Sequence, residues 1–121
     1  MSVLNTRRLD DLSKINPLLL EESLNAWIEQ IKRLSQQIKA TTATGELAQT
    51  YEALHSLLGV SSSAGAVALP QFIKKHVYPS VEVGCWPEQA QWLESIEYLS
   101  TSTVEAIQDY LSKSLTASTL R

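Results

Sequence analysis

Pro17-Leu18-Leu19-Leu20-Glu21-Glu22-Ser23-Leu24-Asn25-Ala26-Trp27-Ile28-Glu29-Gln30-Ile31-Lys32-Arg33-Leu34-Ser35-Gln36-Gln37-Ile38 decides the fold class. Leu20, Leu24, Trp27, Ile31, Leu34 and Ile38 advance by three or four residues, the spacing that lines one face of an α-helix. Glu21, Glu22, Glu29, Lys32, Arg33 and Lys39 occupy the opposite, wet face. Pro17 suits a first helical position, because its missing N–H needs no partner there, and Asn16 before it can cap. A single amphipathic helix has nothing to bury its stripe against, so the pattern demands partner helices.

Upstream, Leu9, Leu12 and Ile15 suggest a short N-terminal helix with Asp10 and Asp11 in its first turn, stopped at Asn16-Pro17. Downstream, Lys39 to Gly45 reads as a fraying end and a turn. A helix follows from about Glu46 to about Leu58, with Leu47, Tyr51, Leu54 and Leu58 inward. Gly59 either ends it or admits another surface, and Ser61-Ser62-Ser63 suits a cap or an irregular turn. The next helix, about Ser63 to His76, packs through Val67, Phe72, Ile73 and Val77, with Pro70 as its point of conflict. Tyr78-Pro79 reads as a break and Val81 to Trp86 as a loop. Pro87 then opens a last long helix with Glu88 in its first turn. Trp92, Leu93, Ile96, Leu99, Thr103, Ala106, Ile107, Tyr110 and Leu111 form its apolar side, and Ser112 to Arg121 frays. No period-two alternation persists. The predicted fold is all-α: an antiparallel four-helix bundle with a short additional N-terminal helix, one domain over 1–121 with its core at about 17–111.

With 121 residues, 44% of them hydrophobic, the chain can build one core but not two. Ten Lys+Arg against 13 Asp+Glu give a formal charge of −3, which offers no concentrated positive surface for nucleic acid. The single Cys85 excludes an internal disulfide and a thiolate metal set, and reads as a semi-buried small hydrophobe. No apolar run approaches the roughly 18 residues of a membrane span. The first eight residues lack a signal peptide's apolar region, so cytoplasm is the default location.

His55 is the most informative chemical group. At about 100° per residue it falls beside Leu54 but on the side of Glu52, Ser56 and Gly59, at the edge of the wet face. An imidazole with a pKa near 6.5 is largely neutral at neutral pH, so one ring nitrogen is available as a nucleophile toward phosphorus. An ordinary boundary histidine has the same composition, so position alone does not separate the two.

The surrounding segment, Tyr51-Glu52-Ala53-Leu54-His55-Ser56-Leu57-Leu58-Gly59-Val60-Ser61-Ser62-Ser63-Ala64-Gly65, resembles the phosphorylation segment of histidine-containing phosphotransfer domains. Those at the ends of hybrid sensor histidine kinases are most similar. The family pattern is histidine, two residues, lysine, glycine, and a second glycine six residues on. His55, Gly59 and Gly65 match it, and the likeness extends weakly through Leu69 and the turn at Gly84, Trp86 and Pro87. Leu58 stands where the family has its phosphate-holding lysine, and Ser62 where a glycine is common. The resemblance implies that His55 accepts a phosphoryl group from a receiver-domain aspartate and passes it to another receiver. Glu52, Ser56, Leu58, Gly59, Ser62 and Gly65 then shape the docking site. It implies no cofactor or metal in this chain, with magnesium held by the receiver. Partners are response-regulator receivers, including one within a hybrid kinase, and an accessible acceptor suits a monomer. Leu58 leaves a second reading open: a docking module that binds receivers without efficient transfer.

Other polar groups have plainer readings. His76, beside Lys74 and Lys75, suits a helix C-terminus, and either lysine could lend charge to His55 if the helices face suitably. Trp27, Trp86 and Trp92 read as packing anchors. Gln89 and Gln91 show no active-site spacing, and the adjacent pairs Asp10-Asp11 and Glu21-Glu22 do not converge as an acid/base pair.

Overall fold

Asn16 closes one helix and opens the next. Its backbone N–H donates to the Leu12 carbonyl, while its side-chain oxygen accepts from the Leu19 N–H at 3.1 Å. The computed structural model describes residues 3–119, with side chains through Lys113; Met1, Ser2, Leu120 and Arg121, including parts of the leader and tail readings, lie outside the described residues. Helix α1 spans Thr6–Ile15 and α2 spans Pro17–Ala43. Because α1 begins at Thr6, capped by Asn5, Asp10 and Asp11 lie past its first turn, contrary to expectation.

The predicted stripe of α2 is buried at Leu20, Leu24, Ile31, Leu34 and Ile38, with Ile28 rather than the half-buried Trp27 completing it. Complete burial of one such side chain contributes about 1.5–3 kcal/mol. The helix does not fray at Lys39. Thr42 donates to the Ile38 carbonyl at 2.6 Å, and the buried Thr41 and Thr50 hydroxyls meet at 2.7 Å, tying the end of α2 to α3.

Helix α3 spans Leu47–Ser63 and runs straight through Gly59 and the serines. Ser61 is buried and donates to the Leu57 carbonyl at 2.6 Å, so the helix itself satisfies the hydroxyl that was expected to cap or break it. The inner face is Thr50, Ala53, Leu54, Leu57 and Ser61, leaving Leu47, Tyr51 and Leu58 half-buried at its margins.

The expected helix from Ser63 is replaced by a turn at Ala64–Gly65 and a helical run made of three pieces. These are α4 (Ala68–Phe72), a π-helical turn (Ile73–Val77) and α5 (Tyr78–Val81). Pro70 falls in the first turn of α4 and causes no break. Tyr78-Pro79 does not break the run either. In an α-helix the Pro79 ring would clash with the Lys75 carbonyl; here the Tyr78 N–H reaches back to the Ile73 carbonyl, a wider turn that accommodates the proline. The loop therefore starts at Glu82.

Helix α6 spans Trp92–Thr119, five residues later than Pro87, so its first-turn acid is Glu94 rather than Glu88. Pro87 is buried in the preceding irregular segment, and Trp86 packs against Trp92 at 6.4 Å between ring centroids. Packing of the two indoles overrides the local preference of proline for a helix start. The expected fraying from Ser112 is not seen through Thr119. Ser100 and Val104 join the buried side of α6 with Trp92, Ile96, Thr103 and Ile107.

All the regular elements among the described residues are helical; the one bridge pairs Leu4 with Ala66. Helix α2 packs on α1, α3 and α6, and α4 packs on α3 and α6. A single hydrophobic cluster draws side chains from every one of these elements. Among the described residues no helix is long and apolar enough to cross a membrane.

Candidate functional site

The inward set of α3 turns His55 to solvent in mid-helix. Glu52, Ser56 and Gly59 are exposed on the same side, as helical spacing requires. Gly59 has ordinary helical conformation, and a side-chain carbon built on it would meet no atom within 4 Å. Nothing inside the molecule requires a glycine there, and the helix surface one turn beyond His55 is open.

His55 is held from one side. The Tyr78 hydroxyl lies 3.3 Å from its Nδ1. Tyr51, one turn before His55 on α3, stacks on the Tyr78 ring with centroids 5.6 Å apart and planes 28° apart. Burial pushes the Tyr78 phenol up to about 12, helped by Tyr51 and by the negative charge of Glu82. The phenol is thus a neutral hydroxyl under any physiological condition. The imidazole nitrogens lie on different edges of the ring, so Nδ1 at Tyr78 leaves Nε2 pointing elsewhere.

The other expected site residues divide. Leu58 is half-buried and packs against the core, and Ser62 is half-buried beyond it. Gly65 is buried and has a different task. Its φ of +86° suits glycine, and an added side-chain carbon would lie 3.3 Å from the Asn5 carbonyl oxygen. Asn5 donates to the Gly65 carbonyl at 2.7 Å and Val67 donates to the Val3 carbonyl at 2.8 Å. Gly65 thus seats the N-terminal segment and does not share the exposed surface of His55 and Gly59.

Lys74 and Lys75 are exposed on the π turn, about one turn ahead of Tyr78. His76 is not at a helix end, since the run continues to Val81; its ring packs on Phe72 at 5.2 Å. Cys85 is exposed rather than semi-buried, because it ends a loop stretch whose residues from Glu82 onward all face solvent. Trp92 is buried, while Trp27 and Trp86 are half-buried against the core. Glu88, Gln89 and Gln91 are exposed. No three His, Cys, Asp or Glu side chains among the described residues gather as a metal set.

Tyr78 is the site residue that sequence reasoning missed. It was read as part of a break, yet the π turn carries the helix past it. One extra residue in a turn rotates everything downstream by roughly 100°. That rotation is not encoded in any period, although Pro79 marks where it occurs. Comparisons with family models, with curated proteins and with solved structures return no match to this chain.

Proposed function

We propose that this chain is a histidine phosphotransfer module in which His55 takes a phosphoryl group from a receiver-domain aspartate and hands it to another receiver. The observation that carries this reading is an exposed imidazole in mid-helix with an open glycine one turn away. In the forward step a ring nitrogen's lone pair forms the N–P bond as the acyl P–O bond breaks, and the aspartate leaves as carboxylate. The receiver supplies its magnesium ion, which neutralises charge on the phosphoryl oxygens. This chain supplies the nucleophile and the surface that aligns it. The two-component setting, a cytoplasmic location and a monomeric state belong to the same proposal. So does an antiparallel four-helix arrangement of α2, α3, the run from Ala68 to Val81, and α6. The packing of α2 on α3 and α6, and of α4 on the same two, supports that arrangement.

A second reading is favoured by Leu58. It packs against the core one turn from His55 and offers phosphate no charge or hydrogen bond, so the surface would bind receivers without efficient transfer. Leu58→Lys separates the two readings. A transfer module gains phosphoryl occupancy from the added cation, whereas a docking module stays unlabelled with receiver binding intact.

The test of the main reading is incubation with a radiolabelled phospho-receiver. Label that appears on the chain, resists alkali better than acid and is lost in His55→Gln supports the assignment. Equal labelling of the variant rejects it.

A further inference from the structure

The contact between Tyr78 and His55 constrains more than the ring's position. A neutral imidazole carries one hydrogen, and only the nitrogen without it has a lone pair to donate. Nδ1 faces Tyr78 at 3.3 Å, so Nε2 is the nitrogen left for a docking partner, and Nε2 is nucleophilic only when the hydrogen is on Nδ1. The 3.3 Å separation admits a hydrogen bond in either direction, set by the tautomer; the direction that leaves a lone pair on Nε2 is donation from Nδ1–H to the phenol oxygen.

We propose that Tyr78 is a positioning residue for His55: its hydroxyl oxygen accepts a hydrogen bond from Nδ1–H and holds the tautomer whose Nε2 lone pair faces the incoming phosphoryl group. The choice of tautomer rests on the phosphotransfer reading, which needs the lone pair on Nε2; the contact between Tyr78 and Nδ1 does not. Stacking on Tyr51 keeps the phenol in place. Its high pKa keeps it neutral, with its own hydrogen left for water.

The atoms balance simply. The Nε2 lone pair forms the bond to phosphorus while the acyl oxygen departs with its electron pair. The hydrogen stays on Nδ1, the ring becomes a cation, and its bond to the Tyr78 oxygen becomes charge-assisted. Transfer to the next receiver reverses each change and returns a neutral ring. Tyr78 neither gains nor loses a proton.

Ring nitrogen signals of ¹⁵N-labelled protein, taken on the alkaline plateau where they no longer change with pH, read the tautomer directly. The wild type is expected to show hydrogen mainly on Nδ1. Tyr78→Phe keeps the ring that stacks on Tyr51 and removes only the hydroxyl, and is expected to move hydrogen toward Nε2. Phosphoryl uptake by His55 then falls by about the same factor as the Nδ1–H population, roughly threefold to fivefold. A wild-type ring with hydrogen mainly on Nε2, or a tautomer unmoved by Tyr78→Phe, overturns the inference even if transfer occurs. The expected tautomer shift in a chain that never accepts phosphate supports the inference and rejects the transfer function instead.

Discussion

The Thr41 and Thr50 hydroxyls lie 2.7 Å apart between the end of α2 and the start of α3, both buried. Each also lies 3.0 Å from a carbonyl of its own helix, Thr41 from Gln37 and Thr50 from Glu46. A hydroxyl has one hydrogen, so one threonine donates across the gap while the other donates to its own backbone. The pair clamps the connection that leads into the His55 helix. Either Thr→Val change alone strands a buried hydroxyl from its cross-helix partner and costs about 1–2 kcal/mol. The double change removes both groups and costs less than the sum of the two, a non-additivity that urea unfolding of the four proteins measures.

Gly59 offers a sharper separation of stability from function. It sits inside α3 with nothing within 4 Å of an added side-chain carbon. Gly59→Ala therefore stabilises by about 0.5–1 kcal/mol through helix propensity. A larger side chain such as Gln fits the free molecule but projects beside His55, and is expected to weaken receiver-dependent labelling severalfold. Thermal unfolding and labelling on the same samples check both parts. Destabilisation by alanine would contradict the open surface.

Gly65 predicts the opposite sign. Alanine there meets a φ of +86° and a backbone oxygen at 3.3 Å, a strain costing on the order of 1–3 kcal/mol. Hydrogen exchange at the Asn5 and Val67 amides, which bond across this turn, should accelerate well beyond that of α2. His55 labelling per folded molecule should change little, because Gly65 is not part of the exposed surface.

Alkaline stability follows from two tyrosines. Burial first, then its neighbours Tyr51 and Glu82, raises Tyr78 from 10.0 to about 12. Burial first, then the hydrogen bond to Asp10 and that residue's charge, does the same for Tyr110. The Tyr110 hydroxyl donates to Asp10 at 2.8 Å, pinning α6 to α1. The unfolded chain gives up these protons near pH 10 while the folded one keeps them to about pH 12. Their stabilisation is complete below pH 10 and is lost as pH rises to about 12. Urea midpoints of the wild type should fall across that window, and less so for the Tyr78→Phe/Tyr110→Phe double variant; equal slopes would contradict the two shifts.

Local signals made part of this molecule legible. Asn16-Pro17 marked a helix start, and the three-to-four spacing marked the buried face of α2, because both act within a single turn. His55 was placed at the edge of the wet face by the same spacing, and it is exposed. The misplaced boundaries are those where distant packing or backbone bonding overrides local preference. Tryptophan packing delays α6 past Pro87, and back-bonded hydroxyls carry α2 and α3 through their polar stretches. Gly65 matched a motif position, but its conformation serves a strand-like contact with residues some 60 positions earlier. Tyr78 needed the π turn to reach His55, a register change that no apolar period announces.

The most direct measurement is ³¹P NMR of the intact chain after exchange with a phosphorylated receiver, with the modified residue located by fragmentation under non-acidic conditions. The account predicts one phosphoramidate signal, located on His55 and discharged when fresh unphosphorylated receiver is added. A chain that binds the receiver yet shows no phosphorus–nitrogen signal, or carries it on His76, would contradict the assignment.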